Sequence, residues 1–167
     1  AARIEAHTGQ PLTDAWMADF YARRNARLEA ELQAIEGAVE AVRAVHARLG
    51  GRIACASGAD RFKVEMQLEM VGLAPYFAGR VFSGHEMPRT KPAPDVYLAA
   101  AAALGVPPAR CLVVEDTVTG VAAGVAAGAT VVGYSPSPVG HGTPEALRAA
   151  GAVQVMVHMG ELPGLLD

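Results

Sequence analysis

Cys111-Leu112-Val113-Val114-Glu115-Asp116-Thr117-Val118-Thr119-Gly120 is a short apolar run that stops at two adjacent acids and restarts as a glycine-spaced pattern. A continuous apolar run of this length, bounded by turn signals, reads as a strand buried on both faces, the habit of parallel sheets in α/β folds. Open α/β sheets bind ligands outside the carboxyl ends of their strands, so Glu115 and Asp116 mark a candidate site edge. Two adjacent carboxylates in a partly desolvated place repel each other, and a metal ion or a lysine is needed to keep both ionised. A lysine stands upstream in Thr90-Lys91-Pro92-Ala93-Pro94-Asp95, and a second strand-like run, Arg52-Ile53-Ala54-Cys55-Ala56-Ser57-Gly58, ends in a hydroxyl.

Outward from that stretch, elements alternate with the rhythm of a parallel sheet. The pattern predicts helices over 38–49, 61–71, 94–104, 118–127 and 144–150, and strands over 52–57, 81–83, 111–116, 130–134 and 153–157. Prolines 92, 94, 107 and 108 punctuate helix starts and loops. Upstream, Trp16, Met17, Phe20, Tyr21, Leu28 and Leu32 recur at helical intervals behind Thr13, a candidate N-cap, with arginines and glutamates on the other face. Ala34-Ile35-Glu36-Gly37 breaks that pattern. The division expected is therefore a helical segment over 1–36 and an α/β core over 37–167.

Composition narrows the function classes. With 51% hydrophobic and 19% charged residues the chain can bury a core, and a net charge of -3 with scattered lysines and arginines gives no field for nucleic acid. Cys55 and Cys111 both fall in apolar runs, which reads as buried thiols in a reducing cytoplasm rather than a disulfide framework. The uncharged stretch from Val118 to Tyr134, with glycines at 120, 124 and 128, lacks a basic flank and resolves into a helix, a stop at Gly128 and a strand. It predicts a helix lying close against a sheet, its glycines allowing the approach, rather than a membrane span. His7, His46, His85, His141 and His158 show no ligand spacing and read as structural or surface residues, and Met66 and Met70 read as core.

Three separated pieces together carry a resemblance. Ser57 closing a strand, Lys91 in a Lys-Pro-x-Pro-Asp loop, and Glu115-Asp116 closing a later strand before Gly120 resemble, in order and spacing, motifs two to four of the haloacid dehalogenase superfamily. The Lys91-Pro92-Ala93-Pro94-Asp95-Val96-Tyr97 wording and the glycine and alanine spacing after Asp116 are similar to its phosphatase and phosphomutase subgroup, which carries an inserted helical cap. The resemblance implies a three-layer Rossmann-like α/β core with a parallel sheet plus part of an α-helical cap. It also implies a Mg2+-dependent phosphatase, in which an aspartate attacks a phosphoryl group and water hydrolyses the aspartyl-phosphate.

The implied roles suit the residue types. Phosphoryl transfer is catalysed mainly by positioning and electrostatic stabilisation, because negative charge spreads over the transferring oxygens. Ser57 and the Gly58 amide, taken to lie at a helix N-terminus, would hold phosphoryl oxygens. Lys91 would neutralise nucleophile and phosphate together. Asp116 would ligate Mg2+ directly and Glu115 directly or through water, while Thr117 caps the next helix. Each piece has an ordinary alternative: a turn for Ser57-Gly58, a solvated loop for Lys91, a helix cap for the acidic pair.

One family element is absent. No Asp-x-Asp closes an apolar strand before Ser57; the only aspartates there, Asp14 and Asp19, sit in the helical segment. With the chain opening on Ala1, the expectation is that the first strand, its nucleophile and part of the cap lie upstream, that this strand would run between those ending at Ser57 and Asp116, and that this piece alone is inactive. A small sugar or sugar-acid phosphate is the expected substrate. Arg23, Arg24 and Arg27 read as a solvated helix face. The rival readings are a phosphomutase and a non-catalytic interaction module of the same fold.

Overall fold

The computed structural model describes residues 13–136 and 142–166, which fall into two compact units divided between Gln33 and Ala34. His7 and His141 lie outside the described residues. The first unit contains α1 (Asp14–Glu31), capped by Thr13, whose hydroxyl accepts from the Trp16 amide at 3.2 Å. Its aromatic side chains are exposed rather than packed: Trp16 and Phe20 stack on each other at 5.4 Å between ring centroids. The side chain of Leu28 is outside the description.

The second unit is α/β. In chain order it runs α2 (Ala38–Arg48), β1 (Cys55–Ser57), α3 (Arg61–Met70), β2 (Val81–Ser83), α4 (Asp95–Leu104) and β3 (Leu112–Glu115). It continues through α5 (Val118–Ala126), β4 (Thr130–Tyr134), α6 (Pro144–Ala149), β5 (Gln154–Met156) and a terminal 3-10 segment, Met159–Leu166. Local chemistry sets the helix starts. Asp60, Thr117 and Thr143 each accept a backbone N–H three residues on, at 2.9, 3.1 and 3.2 Å. Gly128, at φ +83°, ends α5 in the left-handed conformation that glycine tolerates best.

All strand pairs are parallel, and they form two half-sheets: β1 pairs with β2, and β3 with β4, which pairs with β5. Side chains alternate between two faces. Ala56, Phe82 and Val113 pack under α4 and α5, and Val113, Val131 and Val155 under α5 and α6. On the other face, Ile53, Cys55 and Val81 pack with α2 and α3, and Leu112, Val114, Val132 and Met156 with the terminal segment. These are helices on both faces of a parallel sheet, the three-layer arrangement expected.

Burial is uneven across the strands. β4 is buried from Val131 to Tyr134, whereas all of β1 and most of β3 are half-buried although apolar. Among the described residues each of the latter has a partner on one side only. β1 is also shorter than expected: the strand over 52–57 is a ladder over Cys55–Ser57 alone, matched to its partner Val81–Ser83. Cys55 and Cys111 are free and only half-buried, where buried thiols were expected. Two further expectations shift. Met70 is exposed and Met66 half-buried, because α3 meets the core through Val64 and Leu68. Among the described residues no helix is long and apolar enough to cross a membrane, and the Val118–Tyr134 stretch is α5 followed by β4.

Candidate active site

Ser57 ends β1 in a tight turn in which its hydroxyl accepts from the Ala59 amide at 3.1 Å. Gly58 is exposed, with open space where a Cβ would stand. Gly58 is not at the helix N-terminus itself. Asp60 is the N-cap of α3, and its carboxylate already takes the Lys63 amide, so an anion arriving here meets the Ser57-Gly58 turn rather than the helix end. Beside it, Ser83 at the end of β2 is fully buried and ties the same turn down by donating to the Ala59 carbonyl at 2.7 Å.

Lys91 enters from the loop ahead of α4, past a cis Lys91–Pro92 peptide. Its ammonium donates to Glu115 Oε1, lies 3.5 Å from the Ala56 carbonyl oxygen and sits 4.7 Å from the centroid of the Tyr97 ring. It thereby links the carboxyl ends of β1 and β3. The side chain is 14% exposed and that of Glu115 8%, so the pair is largely withdrawn from water.

Glu115 accepts from three side chains: Lys91 and the Tyr97 hydroxyl at Oε1, and the Thr117 hydroxyl at Oε2, 3.1 Å away. Burial pushes its carboxyl up, but the Lys91 charge and these hydrogen bonds outweigh it and hold the group below the ordinary carboxylate range. Its carboxylate lies directly against Gly120, where a Cβ would overlap it. Asp116 follows, half-buried, its carbonyl accepting from the Gly142 amide at 2.9 Å.

The structure thus brings Lys91 and Glu115 into direct contact and sets Ser57 and Asp116 at the carboxyl ends of the two strands that Lys91 links. The electrostatic question posed by adjacent acids is answered for Glu115 by the lysine. Tyr97 was not singled out by sequence reasoning; its signal was a polar tip on the first turn of an apolar helix just after the lysine loop. Thr117 does cap α5, and its hydroxyl also holds Glu115.

Among the described residues no group of three or more His, Cys, Asp or Glu side chains could hold a metal. Magnesium typically needs only one or two carboxylates beside phosphate and water oxygens, a donor set that Asp116 and Glu115 fit in kind. With both lone pairs of Oε1 taken, Glu115 has acceptor capacity left at Oε2 alone.

A parallel α/β core carrying a lysine and an acidic pair at its carboxyl edge defines a class. A family model described as haloacid dehalogenase-like hydrolase matches residues 1–128, and the chain belongs to that family. It is 31% identical over 146 residues to the 6-phosphogluconate phosphatase of Escherichia coli K12, covering 87% of this chain and 62% of that enzyme. It is 34% identical over 140 residues to protein CbbY of Rhodobacter capsulatus, covering 78% of this chain and 60% of that protein. The chain thus spans about three-fifths of the length of these relatives. Among solved structures, a haloacid dehalogenase family hydrolase from Deinococcus radiodurans R1 with bound phosphate and sodium superposes with a TM-score of 0.80 at 33% identity, covering 99% of this chain and 72% of that one.

Proposed function

We propose that this chain supplies the phosphate- and metal-binding part of a magnesium-dependent phosphatase acting on a small phosphorylated metabolite, foremost a sugar or sugar-acid phosphate. The observation that carries the reading is the buried Lys91–Glu115 pair at the carboxyl ends of β1 and β3, with Ser57 and Asp116 beside it. The phosphatase among its relatives supports the substrate class, and the phosphate bound by the Deinococcus protein supports an anion site in this fold.

In this reading the Ser57 hydroxyl and Gly58 amide bind phosphoryl oxygens in the open turn, and Lys91 neutralises phosphate and nucleophile. Asp116 is the direct magnesium ligand and Glu115 acts through Oε2 or a water. Magnesium, when bound, neutralises charge on the phosphoryl oxygens. The nucleophile is an aspartate on a strand outside these residues, which would pair with the free edges of β1 and β3. Its carboxylate oxygen bonds to phosphorus as the bond from phosphorus to the substrate oxygen breaks, the second aspartate of an Asp-x-Asp giving that oxygen its proton. Water then attacks phosphorus, returns a proton to the same aspartate, and the bond to the nucleophile breaks to release phosphate. The 167-residue chain alone is accordingly inactive. Free Cys55 and Cys111 fit a reducing compartment such as the cytoplasm.

The test is phosphate release from an aryl phosphate by the intact protein. We expect activity that saturates with magnesium and falls by about 100-fold or more in Asp116→Asn. Turnover without magnesium, or unchanged in that variant, overturns the mechanism. Interconversion of glucose 1-phosphate without phosphate release assigns a phosphomutase instead.

A further inference from the structure

Tyr97 stands in the first turn of α4, on the face that packs against the sheet with Val96, Ala100 and Ala101, so its ring is fixed by burial. Its hydroxyl donates to Glu115 Oε1, the oxygen that also receives Lys91. A carboxylate oxygen offers two in-plane lone pairs. Tyr97 fills one and leaves a single place for the ammonium. The same ring presents its face to Nζ at 4.7 Å, a cation–π arrangement, and the Ala56 carbonyl closes a further side at 3.5 Å. Burial first, then the charge and hydrogen bond of Glu115, push the phenol pKa up, so the hydroxyl remains a donor.

We propose that Tyr97 is the positioning residue for Lys91, its hydroxyl and ring together confining the ammonium to one point between the ends of β1 and β3. Without the hydroxyl, both lone pairs of Oε1 are open to the lysine, and the ammonium spreads over two positions. The confinement stands on geometry alone; its catalytic meaning rests on the phosphatase reading.

The experiment follows the Lys91 ammonium in the intact protein labelled with 15N-lysine, its resonance assigned by loss in Lys91→Arg. Wild type should show a slowly exchanging ammonium with a nuclear Overhauser contact to the Tyr97 ring protons. Tyr97→Phe, which keeps the ring, removes a hydrogen bond to the charged Glu115 Oε1 that Lys91 shares and should, by freeing the ammonium to move, speed its proton exchange by about tenfold. Thr117→Val removes a donor from the other oxygen of the same carboxylate and should leave that exchange within about twofold. Unchanged exchange in Tyr97→Phe, or an equal rise in both variants, overturns the proposal. If Tyr97→Phe does not fold, the wild-type contact decides: its absence overturns the assignment and its presence supports it. Failure of the phosphatase reading is seen separately, as no phosphate release by a wild type whose Lys91 ammonium is ordered.

Discussion

At Glu115 burial pushes the carboxyl up, and the Lys91 charge with hydrogen bonds from Lys91, Tyr97 and Thr117 outweighs it. Because its carboxyl titrates below the ordinary range when folded, the folded state binds fewer protons than the unfolded chain between the two pKa values. The stabilisation is therefore complete above the ordinary value of 4.5 and is lost as pH falls through the lower, folded value. Glu115→Gln leaves the largely buried Lys91 without its counter-charge, at an expected cost of about 3–5 kcal/mol at pH 7. Urea denaturation from pH 7 to pH 3 checks the sign: the gap between wild type and variant should narrow below about pH 4.5, by at most about 1.4 kcal/mol per pH unit. A gap constant over that range contradicts the pairing.

At the scale of elements, α5 lies so close to the sheet that a Cβ at Gly124 would stand 2.7 Å from Val131 Cγ2 and 3.3 Å from Val113 Cγ1. Both neighbours are short β-branched side chains with little freedom to yield. Gly124→Ala should therefore destabilise by about 1–3 kcal/mol, despite the gain of about 1 kcal/mol in helix propensity. Chemical denaturation measures it, and a stabilised variant would contradict the close approach. This glycine spacing was readable in the sequence, as were the cap of α5 by Thr117, its stop at Gly128 and the extent of β4, because their causes are local. β1 was overextended in the reading because its length depends on Val81–Ser83, a partner distant in sequence. The lysine and the acids were legible through motif wording, but nothing local says that Tyr97 would reach Glu115, since α4 must first dock on the sheet. The exposed ring of Phe62 and the exposed Met70 likewise depend on which face of α3 meets the core.

For the whole α/β unit, the decisive feature is a sheet in two halves joined by α4 and by the Lys91–Glu115 pair rather than by a ladder. Free edges expose backbone donors and acceptors that a strand would satisfy, and here both edges belong to apolar, half-buried strands. β4 is the inner strand of its half, paired on both sides. Hydrogen exchange should read this arrangement directly. In the 167-residue chain, Val131–Tyr134 amides should exchange slowest. Cys55 donates to Arg80 on the β2 side, so by alternation the Ala56 amide faces the free edge and should exchange among the fastest of the strand amides. In the intact protein, where the proposed strand pairs with β1 and β3, Ala56 should fall into the slow class, protected by roughly 100-fold or more for about 3 kcal/mol of added local stability. Equal exchange at Ala56 in both would mean that nothing pairs with this edge, and the nucleophile would have to be sought elsewhere.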